Sequence, residues 1–396
     1  MSAGRFPQLN ISRAVRGPML FTLTLLAVEL LDELIYGVAG AALPLIRTDL
    51  ALTYTQVGWL LTLPALLGVA LDPVLGVLGD VWQRKILIVS GAAATALAML
   101  LVAAGHTFAA VVVAFCLSYP ASTAYVSLSQ ATLMDLNPGR HDQVMARWTV
   151  LGAVGNFVGP LAVAGALTLG WGWRGLYLGL ALLAGAVTLT FARQQFNGGR
   201  RPESHGSLLS DVRDLPRVIL SSGVLRWLIL IDLADLLLDV FFSFCALYFT
   251  DVVRVSPALA SAAVAVLTLG GVIGDALLIP ILERVDGLRL IRLTALAAVG
   301  VYAAFLLAPN VWAKLALLAV LGPLRSGWYQ VLQGRAYSAL PGRSGTVIAV
   351  QALTGLVAAA YPVALGAIAE RAGLGWAMAL LLIGPAAIWV GTPRRA

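Results

Sequence analysis

The chain has 396 residues, of which 60% are hydrophobic and only 11% charged, with a mean hydropathy of +0.91 and a formal net charge of +7. Soluble domains carry roughly a quarter charged residues, so a soluble protein is excluded and the chain reads as an all-α integral membrane protein. Cys116, Cys245, His106, His141 and His205 are scattered, which leaves neither a disulfide framework nor a Cys-His metal spacing.

The N-terminal MSAGRFPQLNISRAVRG is basic, and the apolar run after it, Met19 to Ile46, is too long and too acidic for a cleavable signal. That run holds Glu29, Asp32 and Glu33, and at 100° per residue these share one helical face with Tyr36. About 20 apolar residues cross roughly 30 Å of hydrocarbon. Such runs recur along the chain, twelve in all, separated by short breaks such as GDVWQRK, DLNPGRHDQ and GWGWRG. The longest break, Arg193 to Arg217, lies close to the midpoint with six runs on each side. This predicts an N-terminal six-helix bundle over 1–192, a cytoplasmic linker over 193–222 and a C-terminal six-helix bundle over 223–396. The second half opens with LIDLADLLLDVFF, placing Asp232, Asp235 and Asp239 on one face of its own first helix. Arg325, in GPLRSGWYQ, falls inside the tenth run, and Arg335 follows ten residues later.

Basic residues gather at the termini and in alternate breaks, with Arg84, Lys85, Arg140, Arg200, Arg201, Arg284 and Arg343 among them. The opposite breaks hold Arg47, Arg174, Arg254, Lys314 and Arg371. This asymmetry is the positive-inside pattern, which predicts cytoplasmic termini and a multi-pass protein of the cytoplasmic membrane. The positive charge therefore reports topology and argues against a nucleic-acid partner.

The two halves repeat. A shift of 203 residues sets Glu29 on Asp232, Asp32 on Asp235, Asp72 on Asp275 and Asp80 on Glu283, where chance predicts fewer than one acidic coincidence. The same shift aligns Pro120 with Pro323, Gly152 with Gly355, and NPGRHDQVMA with LPGRSGTVIA. Parallel repeats of this kind build known transporters. A carboxylate at the bilayer centre costs roughly 2.5–3.5 kcal/mol on insertion scales, so both acidic faces are expected to line a hydrated cavity between the halves. Arg325 is the expected counter-charge. Crowding and desolvation favour the protonated form of a carboxyl group, so proton exchange is the chemistry expected here.

GVLGDVWQRK resembles the loop signature of the major facilitator superfamily through Gly76, Asp80, Arg84 and Lys85; the second half keeps Glu283 and Arg284. Val81 and Gln83 depart from the pattern. GAVGNFVGPLAVAG resembles the exporter signature of the same superfamily through Gly152, Gly155, Gly159 and Pro160, with Val163 and Ala164 replacing its usual glycine pair. The resemblance implies two six-helix bundles around a site opened alternately to each side, with Asp80, Arg84 and Lys85 in a cytoplasmic gating loop. Packing of a bent helix, with no bearing on transport direction, is the lesser alternative for the glycines and Pro160.

The expected function is proton-coupled efflux of small amphipathic or cationic molecules by a monomeric, non-enzymatic transporter without a cofactor. Coupling is expected at Glu29, Asp32, Glu33, Asp232, Asp235 and Asp239, with Tyr36 as a hydrogen-bonder and Arg325 as counter-charge. Trp328 and Tyr329 could contact substrate, although packing suits either one better. Alternatives are a divalent-metal exporter, since clustered carboxylates suit hard cations, and a lipid translocase. An intramembrane magnesium-dependent transferase would use the Asp-x-x-Asp spacing, but it would want basic residues facing the acids.

Overall fold

The computed structural model describes residues 11–81, 83–137, 141–194, 223–339, 351 and 354–393, and every regular element among them is helical. In hydrocarbon each backbone N–H and C=O must find its partner within its own segment, which a helix achieves and an open strand does not. In the first half the helices are α1 (Ile11–Asp49), α2 (Tyr54–Val81), α3 (Arg84–Ala104), α4 (Phe108–Ser122), α5 (Leu128–Asp135), α6 (His141–Thr168) and α7 (Gly172–Arg193). The second half has α8 (Val224–Asp235), α9 (Phe241–Asp251), α10 (Pro257–Leu282), α11 (Gly287–Leu307), α12 (Val311–Arg325) and α13 (Trp328–Ala339), then α14 (Tyr361–Ala372), α15 (Leu374–Leu380) and α16 (Ile383–Gly391).

Several of these form single rods with a local fault. A π-turn at Thr123–Ser127 joins α4 to α5, another at Leu236–Val240 joins α8 to α9, and Ser326 and Gly327 separate α12 from α13. Gly327 has φ of +84°, a conformation glycine adopts without a Cβ penalty. Across these faults the helix order is consistent with twelve crossings. Eight helical stretches among the described residues are long and apolar enough to cross a membrane. The first helix, 39 residues and about 58 Å at 1.5 Å per residue, is continuous and long enough, but acids break up its apolar run.

The 203-residue shift carries the fault at Thr123 onto Ser326, so two matched rods break at the same place. It carries the π-turn at Leu236–Val240 onto 33–37, where α1 runs unbroken. The repeat is therefore matched in its fourth rod and unequal in its first.

Within the first half α1 packs most extensively on α6, and α3 on α7; within the second, α10 packs on α12. The α1–α6 crossing depends on glycine: a Cβ on Gly159 would lie 2.7 Å from the Cα and carbonyl carbon of Gly37. Among the described residues the halves meet chiefly where α1 packs on α9, α2 on α14 and α6 on α10.

Candidate transport site

The acidic face of α1 is divided among three neighbours. Asp32 Oδ1 accepts a 2.7 Å hydrogen bond from Ser122 Oγ at the end of α4. Glu33 Oε2 accepts from Asn156 Nδ2 of α6 at 3.3 Å, and Trp148 of α6 lies beside Glu29. Gly152 makes room for this, since a Cβ there would come 2.5 Å from Glu29 Oε1. Tyr36, a turn further on, reaches the other half: its hydroxyl donates to Asp239 Oδ1 at 3.1 Å, and its ring stacks on Phe242 with centroids 5.0 Å apart. The face expected to line one shared cavity is thus spent largely on partners in its own half.

In the second half Asp232 is buried, Asp235 half-buried and Asp239 exposed. The π-turn separates Asp239 from the helical register of the other two and loosens the backbone ladder around Leu237 and Leu238. Arg325 Nη1 donates to both carbonyls, at 2.6 and 3.0 Å. Arg325 is the expected counter-charge of these acids, and it meets them through space. Among the described residues no ion pair joins them, because freed carbonyls at the fault offer closer acceptors; its charge still acts on Asp239 and Asp275. A cavity of about 420 Å³ opens here, lined by Asp235, Asp239, Asp275, Arg325, Tyr329 and Gln330. Under the repeat Ser122 matches Arg325, so one position serves Asp32 in the first half and the π-turn in the second. Trp328 is fully buried and donates to Thr294 at 3.0 Å, which makes it packing, whereas Tyr329 faces the cavity.

Beyond Tyr36 the halves are shut. Arg47 Nη1 pairs with Asp251 Oδ2 at 2.8 Å, the Tyr54 hydroxyl donates to the same oxygen at 2.8 Å, and the Tyr54 amide donates to Glu370 Oε2 at 2.8 Å. Arg47 also lies over the Tyr54 ring, 4.1 Å from its centroid. Below them the Val363 amide donates to Thr62 Oγ1 at 3.2 Å, and a Cβ on Gly58 would meet Val363 Cα at 2.6 Å. Sequence reasoning missed Tyr54, Asp251 and Glu370 and gave Arg47 only a topogenic role. The one signal available was that the shift sets Arg47 on Thr250, next to Asp251.

The loop-signature residues are scattered over several contacts. Arg84 pairs with Asp135, and Lys85 Nζ donates to the carbonyls of Ala192 and Gln194, at 3.2 and 2.7 Å. The side chains of Asp72 and Asp80 lie outside the described residues, as does any detail of Gly76. Glu283 and Arg284 are exposed in the turn after α10, and Arg335 pairs with Asp286 instead of an intramembrane acid. Gly155, Gly159 and Pro160 all lie where α6 meets α1: a Cβ on Gly155 would touch Leu34 N at 2.9 Å, and Pro160 sits against Gly37.

A family model for the Major Facilitator Superfamily matches residues 25–361. The chain belongs to this superfamily. Its fold is shared with a bacterial homolog of the human lysosomal transporter Spinster in an inward-facing, occupied conformation, at a TM-score of 0.75 and 15% identity over 96% of this chain and 99% of that one. A variant of the nucleoside transporter NupG gives 0.75 and 14% over 94% and 98%. The same Spinster homolog, inward-facing and unoccupied, gives 0.69 and 16% over 94% of each chain. None of the curated proteins compared matches by sequence. As a member of the Major Facilitator Superfamily the chain is a multi-pass membrane transporter of small molecules, and not an enzyme.

Proposed function

We propose that the chain is a proton-coupled exporter of small amphipathic or cationic molecules, in which residues 1–192 and 223–396 rock about each other and 193–222 links them. The observation that carries this reading is the hydrogen bond from Tyr36 to Asp239, the cross-half contact nearest the acid-lined cavity. A phenol donates more strongly to a carboxylate than to a carboxylic acid. Protonation of Asp239 therefore loosens the tie between halves, and a cation arriving beside Asp235 and Asp239 displaces the proton. Proton and cationic substrate then compete for one pair of carboxylates, the requirement for exchange. Asp32 and Asp235, matched by the repeat, carry protons beside them, with Glu29, Glu33 and Asp232 supporting.

The charge asymmetry sets both termini in the cytoplasm. The Arg47–Asp251 end is then external, and the closed external end corresponds to an inward-facing state of a cytoplasmic-membrane protein. In proteoliposomes an imposed pH difference should drive a cationic dye against its gradient, and binding of the dye should weaken as pH falls. Asp235→Asn and Asp239→Asn should abolish uphill movement while leaving some downhill exchange. Uphill transport by both variants would remove these carboxylates from coupling.

A further inference from the structure

The cavity walled by α8, α10, α12 and α13 holds charges of both signs that are not joined to each other. Asp235 and Arg325 line the same space of about 420 Å³. Among the described residues no ion pair joins Arg325 to a carboxylate, and Asp235 accepts no hydrogen bond. Arg325 is only 9% exposed. Its Nη1 is spent on the carbonyls of Leu237 and Leu238, which fixes the plane of the guanidinium. Its Nε is buried without a hydrogen-bond partner, and Nη2 donates to no group among the described residues.

A buried donor is rarely left unpaired. Attraction to Asp239 and Asp275 balances the charge of Arg325 through space, but it places no acceptor in line with these N–H bonds. In a guanidinium, Nε and Nη2 form the edge that meets a carboxylate through two parallel hydrogen bonds. We infer that the substrate of this cavity is a small zwitterion, its carboxylate on the Nε–Nη2 edge of Arg325 and its ammonium against Asp235 and Asp239. A bare cation leaves the unpaired donors unmet, and a bare anion faces Asp235, Asp239 and Asp275. The volume lies at the small end of ligand pockets, room for a molecule of amino-acid size with its body against Leu238 and Tyr329. Under the repeat Ser122 stands where Arg325 does, so the acid end is held by the second half and the zwitterion enters in one orientation. The inference rests on the reading of this cavity as the transport site, and it narrows the cationic cargo to one that also carries an acid.

Thermal unfolding of the purified full chain, at fixed neutral pH and without a gradient, tests it with matched probes. Leucine, phenylalanine and tryptophan present both charges; the amines left by removing the carboxylate keep only the cation, and the acids left by removing the amino group keep only the anion. At least one amino acid should raise the midpoint saturably, with its amine and its acid binding at least about tenfold more weakly. Arg325→Lys, which keeps the charge without the fork, should weaken the amino acid about tenfold and leave the amine unchanged, whereas Asp235→Asn should weaken both. If Arg325→Lys fails to fold, the comparison of amino acid with amine in the wild type still decides. An amine that binds as tightly as its amino acid refutes the zwitterion, leaves the unpaired donors to water and lets the export of cations stand. An acid that binds as tightly, an amino-acid affinity unchanged in Arg325→Lys, or no shift with any of the three amino acids refutes it equally. Failure of pH-driven dye transport with the amino-acid result intact removes proton coupling and not the zwitterion.

Discussion

Asp251→Asn is the substitution with the clearest expected consequence, because the bond it removes exists only while the Arg47 end is closed. The pair is 2.8 Å long, and its side chains are 26% and 22% exposed. At an effective dielectric of about 20, two charges roughly 4 Å apart attract by about 4 kcal/mol before desolvation and side-chain ordering are subtracted. Exposed pairs retain about 0.2–1 kcal/mol, and breaking a buried one costs about 3–5. A half-buried pair that also accepts from Tyr54 falls between, at about 1–2 kcal/mol. That corresponds to a shift of about 5–30-fold in the closed-to-open ratio at this end. Thr62 reports the change, since it is only 1% exposed beneath the pair. In a chain lacking Cys116 and Cys245, a cysteine at position 62 should react slowly with an impermeant maleimide added on the Arg47 side. Asp251→Asn should speed the reaction about 5–30-fold, and exchanging the charges with Arg47→Asp and Asp251→Arg should restore protection. An unchanged rate in Asp251→Asn, with the protein folded, would refute the latch.

The α1–α6 crossing predicts opposite outcomes at two glycines of α6. Gly159→Val should lower stability by about 1–3 kcal/mol or prevent folding, because its Cβ meets Gly37 backbone at 2.7 Å, while Gly165→Ala should be neutral, having nothing within 4 Å; equal midpoints for both would contradict the packing. Arg325→Ala strips the π-turn of its donor and should cost about 1–3 kcal/mol as well as transport. Arg325→Lys, able to reach one carbonyl but not to fork, should recover part of the stability; full activity in the alanine variant would show that the π-turn needs no donor.

Composition and periodicity were enough for the membrane class, the helical architecture and the repeat, because hydrocarbon forces each segment to satisfy its own backbone and imposes a length that apolar runs display directly. The acidic faces were legible for the same reason: a carboxylate in such a run contradicts its surroundings unless the fold shelters it. What shelters each one was not legible. Ser122, Trp148 and Asn156 are ordinary polar residues in their own helices, and only the crossing angles of α1 with α4 and α6 bring them to Asp32, Glu29 and Glu33. The π-turn at Leu236–Val240 has no marker of its own, since it depends on where Arg325 arrives from another helix to take two carbonyls. The latch joining Arg47, Tyr54, Asp251 and Glu370 is the extreme case. Its members lie up to 323 residues apart and face each other only because two bundles close at that end, a relation between rigid bodies that no local pattern can encode.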